Sequence, residues 1–152
     1  MISFLIVGSD RAASKFNKLG GAIKSALRDE VQGAAYIVQR EAKFNLTGGV
    51  DLYVRTGRLR GSINAEVEEK KGEIVGRVGT NVVYGPVHEF GATIFAKRYP
   101  FMLFKIDGRT VAARKVVIPK RPWLSPAMER NRAKIASMFE GRIRLEMNKA
   151  GL

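Results

Sequence analysis

His88 and Glu89 are the one adjacent pair in this chain that invites acid–base chemistry. An imidazole titrates near neutrality, and a carboxylate beside it can act as a proton partner. The rest of such a site is missing. The chain holds a single histidine, no second ligand stands at metal spacing, and neighbours on a strand or helix point apart. There is no Gly-x-Ser-x-Gly nucleophile elbow, no phosphate-cradling Gly-x-x-x-x-Gly-Lys-Ser and no zinc-binding His-Glu-x-x-His. Fourteen acids are present, yet no two are marked by context as a working dyad. The chain therefore reads as a non-enzyme without cofactor, metal or small-molecule substrate, and His88 as a packed or interface histidine.

Charge is the stronger signal. Twenty-seven Lys and Arg against fourteen Asp and Glu give +13 and a pI near 10.4. A polyanion is a natural neighbour for such a surface, whether nucleic acid, membrane surface or an acidic protein ring. The excess is concentrated. Between Lys97 and Arg121 stand eight cations and one acid, Asp107, a net +7. Phe90, Phe95, Tyr99, Phe101 and Phe104 crowd fifteen residues that also hold Lys97 and Arg98. Interleaved rings and cations can form a platform for single-stranded nucleic acid. The plainer expectation is that the rings form the core side of a sheet.

The stretch Ile118-Pro119-Lys120-Arg121-Pro122-Trp123-Leu124-Ser125-Pro126-Ala127 holds three of the five prolines and the only tryptophan. Proline fixes φ and pushes the preceding residue towards extended backbone, so a strand must stop here. Ser125 is placed as a helix N-cap with Pro126 at the first helical position. The result is a rigid strand-to-helix corner. It either anchors the last helix or presents Trp123 to a partner.

The elements that would position these residues follow from periodicity. Ile2 to Val7 is a short apolar strand, and Arg11 to Leu19 is weakly helical. Ile23, Leu27, Val31, Ala34, Val38 and Ala42 recur at steps of three and four, which is one face of a long helix. Val50 to Gly61 reads as a loop. Ile63, Ala65 and Val67 then alternate with polar residues, and Ile74, Gly76 and Val78 form the return strand of a hairpin. Asn81 to Gly91 is a helical turn or compact loop, and Ala92 to Ala96 a further strand. Phe101 to Ile106 and Thr110 to Ile118 flank Asp107-Gly108, a hairpin turn. The last helix, from Pro126 to about Asn148, is expected to bury Ile135, Phe139, Ile143 and Met147. The fold class is α+β, an antiparallel sheet with hairpins packed against a helix of the N-terminal half and a C-terminal helix.

At 152 residues, 45% apolar and 27% charged, residues 1–152 are expected to form a single domain, with a hairpin near 101–118 standing out from it. No apolar run approaches the ~20 residues of a membrane span. Met1 to Val7 lacks the features of a signal peptide. The absence of cysteine excludes disulfides and thiolate metal sites and suits a reducing compartment.

Three segments stand in order: Thr56-Gly57-Arg58-Leu59-Arg60-Gly61-Ser62-Ile63, Val83-Tyr84-Gly85-Pro86-Val87-His88-Glu89-Phe90-Gly91, and the proline-rich corner. The series resembles the minor tail component and virion morphogenesis families of tailed bacteriophages, and the likeness runs from about Ile23 onward. The hairpin around Asp107-Gly108 resembles the Mu-like branch, and Trp123 stands where phenylalanine is more usual. What the resemblance implies is a virion structural protein at the head–tail junction, a tail-completion, terminator or neck subunit. It implies a hexameric ring around the DNA channel, made in the host cytoplasm. Its partners would be the tail tube protein, head-side connector or stopper proteins and passing double-stranded DNA. The residues expected to make these contacts are Arg58, Arg60, Lys97, Arg98, Lys105, Arg114, Lys115, Lys120, Arg121 and Trp123. A basic nucleic-acid-binding module without catalysis is the competing reading of the same charge.

Overall fold

The computed structural model describes residues 2–7, 21–47, 56–70, 72–97, 99–106 and 108–149. In chain order the elements are β1 (Ile2–Val7), α1 (Gly21–Asn45), α2 (Arg58–Ser62), β2 (Asn64–Lys70), β3 (Glu73–Thr80), α3 (Gly85–Phe90), β4 (Ala92–Phe95), β5 (Met102–Ile106), β6 (Arg109–Ala113), β7 (Lys115–Ile118) and α4 (Ser125–Lys149). The class is α+β. The expected helical piece at Arg11–Leu19 lies outside the described residues, as do residues 48–55.

A three-stranded antiparallel sheet, in the order β1-β3-β2, forms the base of the fold. The β2–β3 hairpin closes at Lys70 opposite Glu73, and its open end sets Asn64 opposite Gly79. Helix α1 lies across β2 and β3. Its apolar face is the one the three-and-four spacing marks: Ile23, Val31, Ala34, Val38 and Ala42 are all buried. The helix sits close because β3 offers no side chain at Gly76. A Cβ there would stand 2.9 Å from Val31 Cγ1. The glycine thus trades strand propensity for an intimate helix–sheet contact.

Helix α4 packs chiefly on α1, and its Ala127 and Ile135 join the same core cluster as Val78 of β3. Ala127 and Ile135 are buried; Phe139 and Ile143 are half-buried, while Met147 is exposed. The step-of-four pattern is therefore covered only over the first half of the helix. Two other expectations need correction. The stretch ending at Gly61 is not all loop, because Gly57 takes φ 71° and turns the chain into α2, whose Leu59 is buried. The strand expected over Thr110–Ile118 is broken at Arg114. Its first part, β6, pairs with β5, and its second part, β7, pairs with β4.

The consequence of that break is a basic arm, residues 92–118, built from two successive two-stranded ladders. Ala92 opposes Ile118 at its root, Ala96 N–H donates to Arg114 C=O at 3.0 Å, and Ile106 opposes Arg109 at its tip. Gly108, at φ 80°, supplies the left-handed residue that the two-residue turn requires. Asp107 itself lies outside the described residues.

Candidate interaction surface

The site is best built from the corner that holds the arm in place. Helix α4 begins with the bond from Met128 N–H to Leu124 C=O, which leaves the amides ahead of it without helical partners. Ser125 does not cap them. The cap comes from Glu89, 36 residues upstream on α3. One carboxylate oxygen accepts from Trp123 N–H and Leu124 N–H, both at 2.8 Å; the other accepts from Ser125 N–H at 2.9 Å and from the Ser125 hydroxyl. Glu89 is fully buried. What makes a buried carboxylate tolerable is the converging set of N–H groups and the positive end of a 25-residue helix. The expected Ser125 cap is thus corrected: a carboxylate reaches more amides at once than the serine hydroxyl could.

The indole closes the same corner. Trp123 is fully buried, and its Nε1–H donates to Gly85 C=O at 3.2 Å. Asn45, at the end of α1, donates to Trp123 C=O at 2.9 Å. A Cβ at Gly85 would meet Thr80 Cγ2 at 2.6 Å, Leu59 Cδ1 at 3.3 Å and Trp123 Cζ2 at 3.7 Å. All three segments singled out in the sequence therefore converge on one glycine. Of the two roles open to Trp123, the structure has the anchoring one; within this chain the ring presents nothing to a partner.

Glu89 cannot serve His88 as a proton partner, since both its oxygens are engaged by the corner. His88 Nδ1 is buried without a hydrogen-bond partner among the described residues, and the ring meets Tyr84 edge-on at 6.0 Å. Burial, and then the Arg121 guanidinium, hold its pKa below the ordinary 6.5. His88 C=O accepts Arg121 N–H at 2.8 Å, which ties α3 to the returning chain. Gly91 follows at φ 74° and ψ 167°, with the Ile118 carbonyl 3.0 Å from where a Cβ would be. Both roots of the arm are thereby clamped to the corner.

Beyond the root, the arm's described cations are all exposed: Lys97, Lys105, Arg109, Arg114, Lys115, and Lys120 and Arg121 just past its end. None of them is in an ion pair among the described residues. Arg58 and Arg60 are exposed on α2; Arg98 lies outside the described residues. Of the five aromatic residues expected on the core side of a sheet, Phe104 is half-buried and the other four are exposed. Phe95 is 59% exposed, Tyr99 77% and Phe101 45%, and Phe90 is exposed as well. The reason is architectural, since among the described residues β5 and β6 pair only with each other. Cations cover some of these rings instead. The Arg114 guanidinium lies 5.1 Å from the Phe101 centroid and the Lys115 ammonium 5.8 Å from that of Phe95.

Among the described residues there is no group of His, Cys, Asp and Glu that could hold a metal ion, and no helix is long and apolar enough to cross a membrane. The arrangement offers shape, rings and positive potential.

Comparison with known proteins defines the class. Residues 10–91 match the family described as "Bacteriophage HK97-gp10, putative tail-component". The match covers more than half of the 152 residues, and the chain belongs to that family of phage tail components. It runs through α1, the β2–β3 hairpin and α3 and ends at Gly91, where the basic arm begins. No curated protein and no solved structure matches the chain.

Proposed function

We propose that this protein is a structural subunit at the phage head–tail junction, one copy of a ring that surrounds the DNA channel and joins the tail tube protein to a head-side connector or stopper. The hexameric count follows the resemblance of its three segments to tail-completion proteins. The observation that carries the reading is the pairing of a phage tail-component body with an exposed cationic arm clamped at both roots. Arms of this kind act between chains: their edges offer unpaired strand, and their apolar residues are not covered within the chain. Cations on the arm, or on the solvent side of α4, face an acidic neighbour or the phosphates of the genome in transit. The work is done by contact geometry and potential.

The deciding experiment is a phage lacking the gene. Separate filled heads and free tails seen by electron microscopy, restored to joined particles by the supplied protein, are the expected result. Normally joined particles in its absence would dismiss the reading. Light scattering of the purified protein should in parallel report a closed oligomer.

A further inference from the structure

The fold separates charge along one strand. At the open end of the β2–β3 hairpin, beside Asn64 and Thr80, lie α3 and the roots of the arm. At the closed end lie Glu68, Glu69 and Glu73, with Glu66 further along the same edge strand. The stretch Asn64–Glu73 holds four of the chain's fourteen acids against two lysines, in a molecule of net +13. Strand β3 is eight residues long, so Glu73 lies roughly 23 Å along it from Thr80, while Glu66 lies roughly 7 Å from Asn64 at ~3.3 Å per residue.

Strand β2 is also an edge. The sheet order is β1-β3-β2, and among the described residues nothing pairs with its outer side. Glu66 and Glu68 are exposed on it. Glu68 already holds Arg77, and Glu69 holds Lys24; Glu66 and Glu73 are in no ion pair among the described residues. Glutamates on an open edge repel another copy of the same edge and admit a cationic strand. The arm is such a strand, with both outer edges of its β5–β6 ladder unpaired among the described residues and its lysines and arginines exposed.

From this we infer that the basic arm of one copy docks along the β2 edge of the next, meeting Glu66 and Glu73, the two glutamates in no ion pair among the described residues. The inference deepens the ring reading and rests on it. The donor arm and the acceptor edge are different surfaces of the chain, so the contact is heterologous, head-to-tail. It propagates from copy to copy and closes if the rotation per subunit allows. Charge complementarity selects the register, and strand pairing with ring contacts from Phe95, Tyr99 and Phe101 completes it.

Two charge-reversed proteins test the contact: an arm variant, Lys105→Glu with Arg109→Glu and Lys115→Glu, and an edge variant, Glu66→Lys with Glu73→Lys. All five positions are exposed. Multi-angle light scattering is expected to show an oligomer for the native chain and a single 16.8 kDa chain for either variant alone. In an equimolar mixture the native arm meets the native edge and the reversed arm meets the reversed edge, both of opposite charge, so assembly should be restored with the two variants alternating. That mixed oligomer also shows that both variants are folded. If either variant still assembles as the native protein does, the docking is overturned while the ring reading stands. A mixture in which both proteins stay single overturns the docking equally. A native chain that stays single at every concentration would overturn the ring reading, and this contact with it.

Discussion

A carboxylate buried away from any cation is costly, and Glu89 is such a group among the described residues. Its oxygens are matched to three backbone amides and a hydroxyl at the head of α4, so it replaces the water those amides would otherwise need. Glu89→Gln keeps the shape and removes an acceptor, turning an amide NH2 group towards N–H donors. Leaving buried donors unmatched costs on the order of 3 kcal/mol. The expected outcome is a lower urea midpoint with an unchanged slope, read by circular dichroism. A midpoint equal to that of the native chain would show that the corner does not depend on the carboxylate. His88 gives a second expectation. Its folded pKa is depressed by burial and by Arg121, so the unfolded chain binds the proton more readily. The stability this group contributes is fully present above about 6.5, its unfolded value. It is lost as pH falls through the depressed folded value. Arg121→Gln removes the second cause and should narrow that window. Denaturant midpoints between pH 5 and 7.5 for the two proteins check the direction.

At the level of elements, the clamp between α3 and the returning strand decides where the arm stands. Gly91 is central to it: φ 74° with ψ 167° is a region that only glycine occupies readily, and the Ile118 carbonyl and Lys120 amide lie at 3.0 and 3.1 Å from a would-be Cβ. Gly91→Ala is expected to cost about 1–3 kcal/mol in stability. It should also raise amide exchange at Ala92 and Ile118 relative to α1, measurable by hydrogen–deuterium exchange. Equal protection at the root in both proteins would remove Gly91 from the clamp. This corner also marks the limit of what the sequence discloses. Helix α1, the β2–β3 hairpin and the Asp107-Gly108 turn are written in local spacing and turn chemistry, and they are legible as such. The Glu89 cap is not, because capper and helix are 36 residues apart and a serine with a credible local role stands between them. The exposure of the rings is hidden for a related reason. Alternation says which side of a strand is apolar, but whether another layer covers that side is decided only by the strand pairings. Those pairings turn on a break at Arg114 that no residue type announces. The cationic character of the arm, by contrast, needs no folding to be read, and Lys105, Lys115 and Lys120 are exposed as a solvated charge must be.

For the whole molecule the decisive quantity is how +13 is laid out. If the arm's cations meet a neighbouring copy, the charge left for nucleic acid lies on the solvent side of α4, where Arg132, Lys134 and Arg144 are exposed and in no ion pair among the described residues. Arg130, on the same helix, is already engaged with Glu41 at 3.3 Å. Phosphate attraction of this kind is indifferent to sequence and collapses with salt, because each neutralised phosphate releases counterions. Duplex DNA of arbitrary sequence should therefore bind weakly, and a log–log plot of affinity against salt should be linear. Replacing Arg132, Lys134 and Arg144 together by glutamine should lower the magnitude of that slope by about 3, near 0.9 for each phosphate no longer neutralised. Fluorescence anisotropy of a labelled duplex from about 50 to 200 mM salt measures both quantities. Asp29→Lys, at an exposed position of α1 away from the arm and the β2 edge, serves as the internal standard. It raises net charge without touching α4, so a slope that follows total charge and ignores position would show a diffuse field. A slope that drops only for the α4 substitutions would place the DNA-facing side of the subunit on its last helix. In a ring closed through the arm, that places α4 towards the lumen.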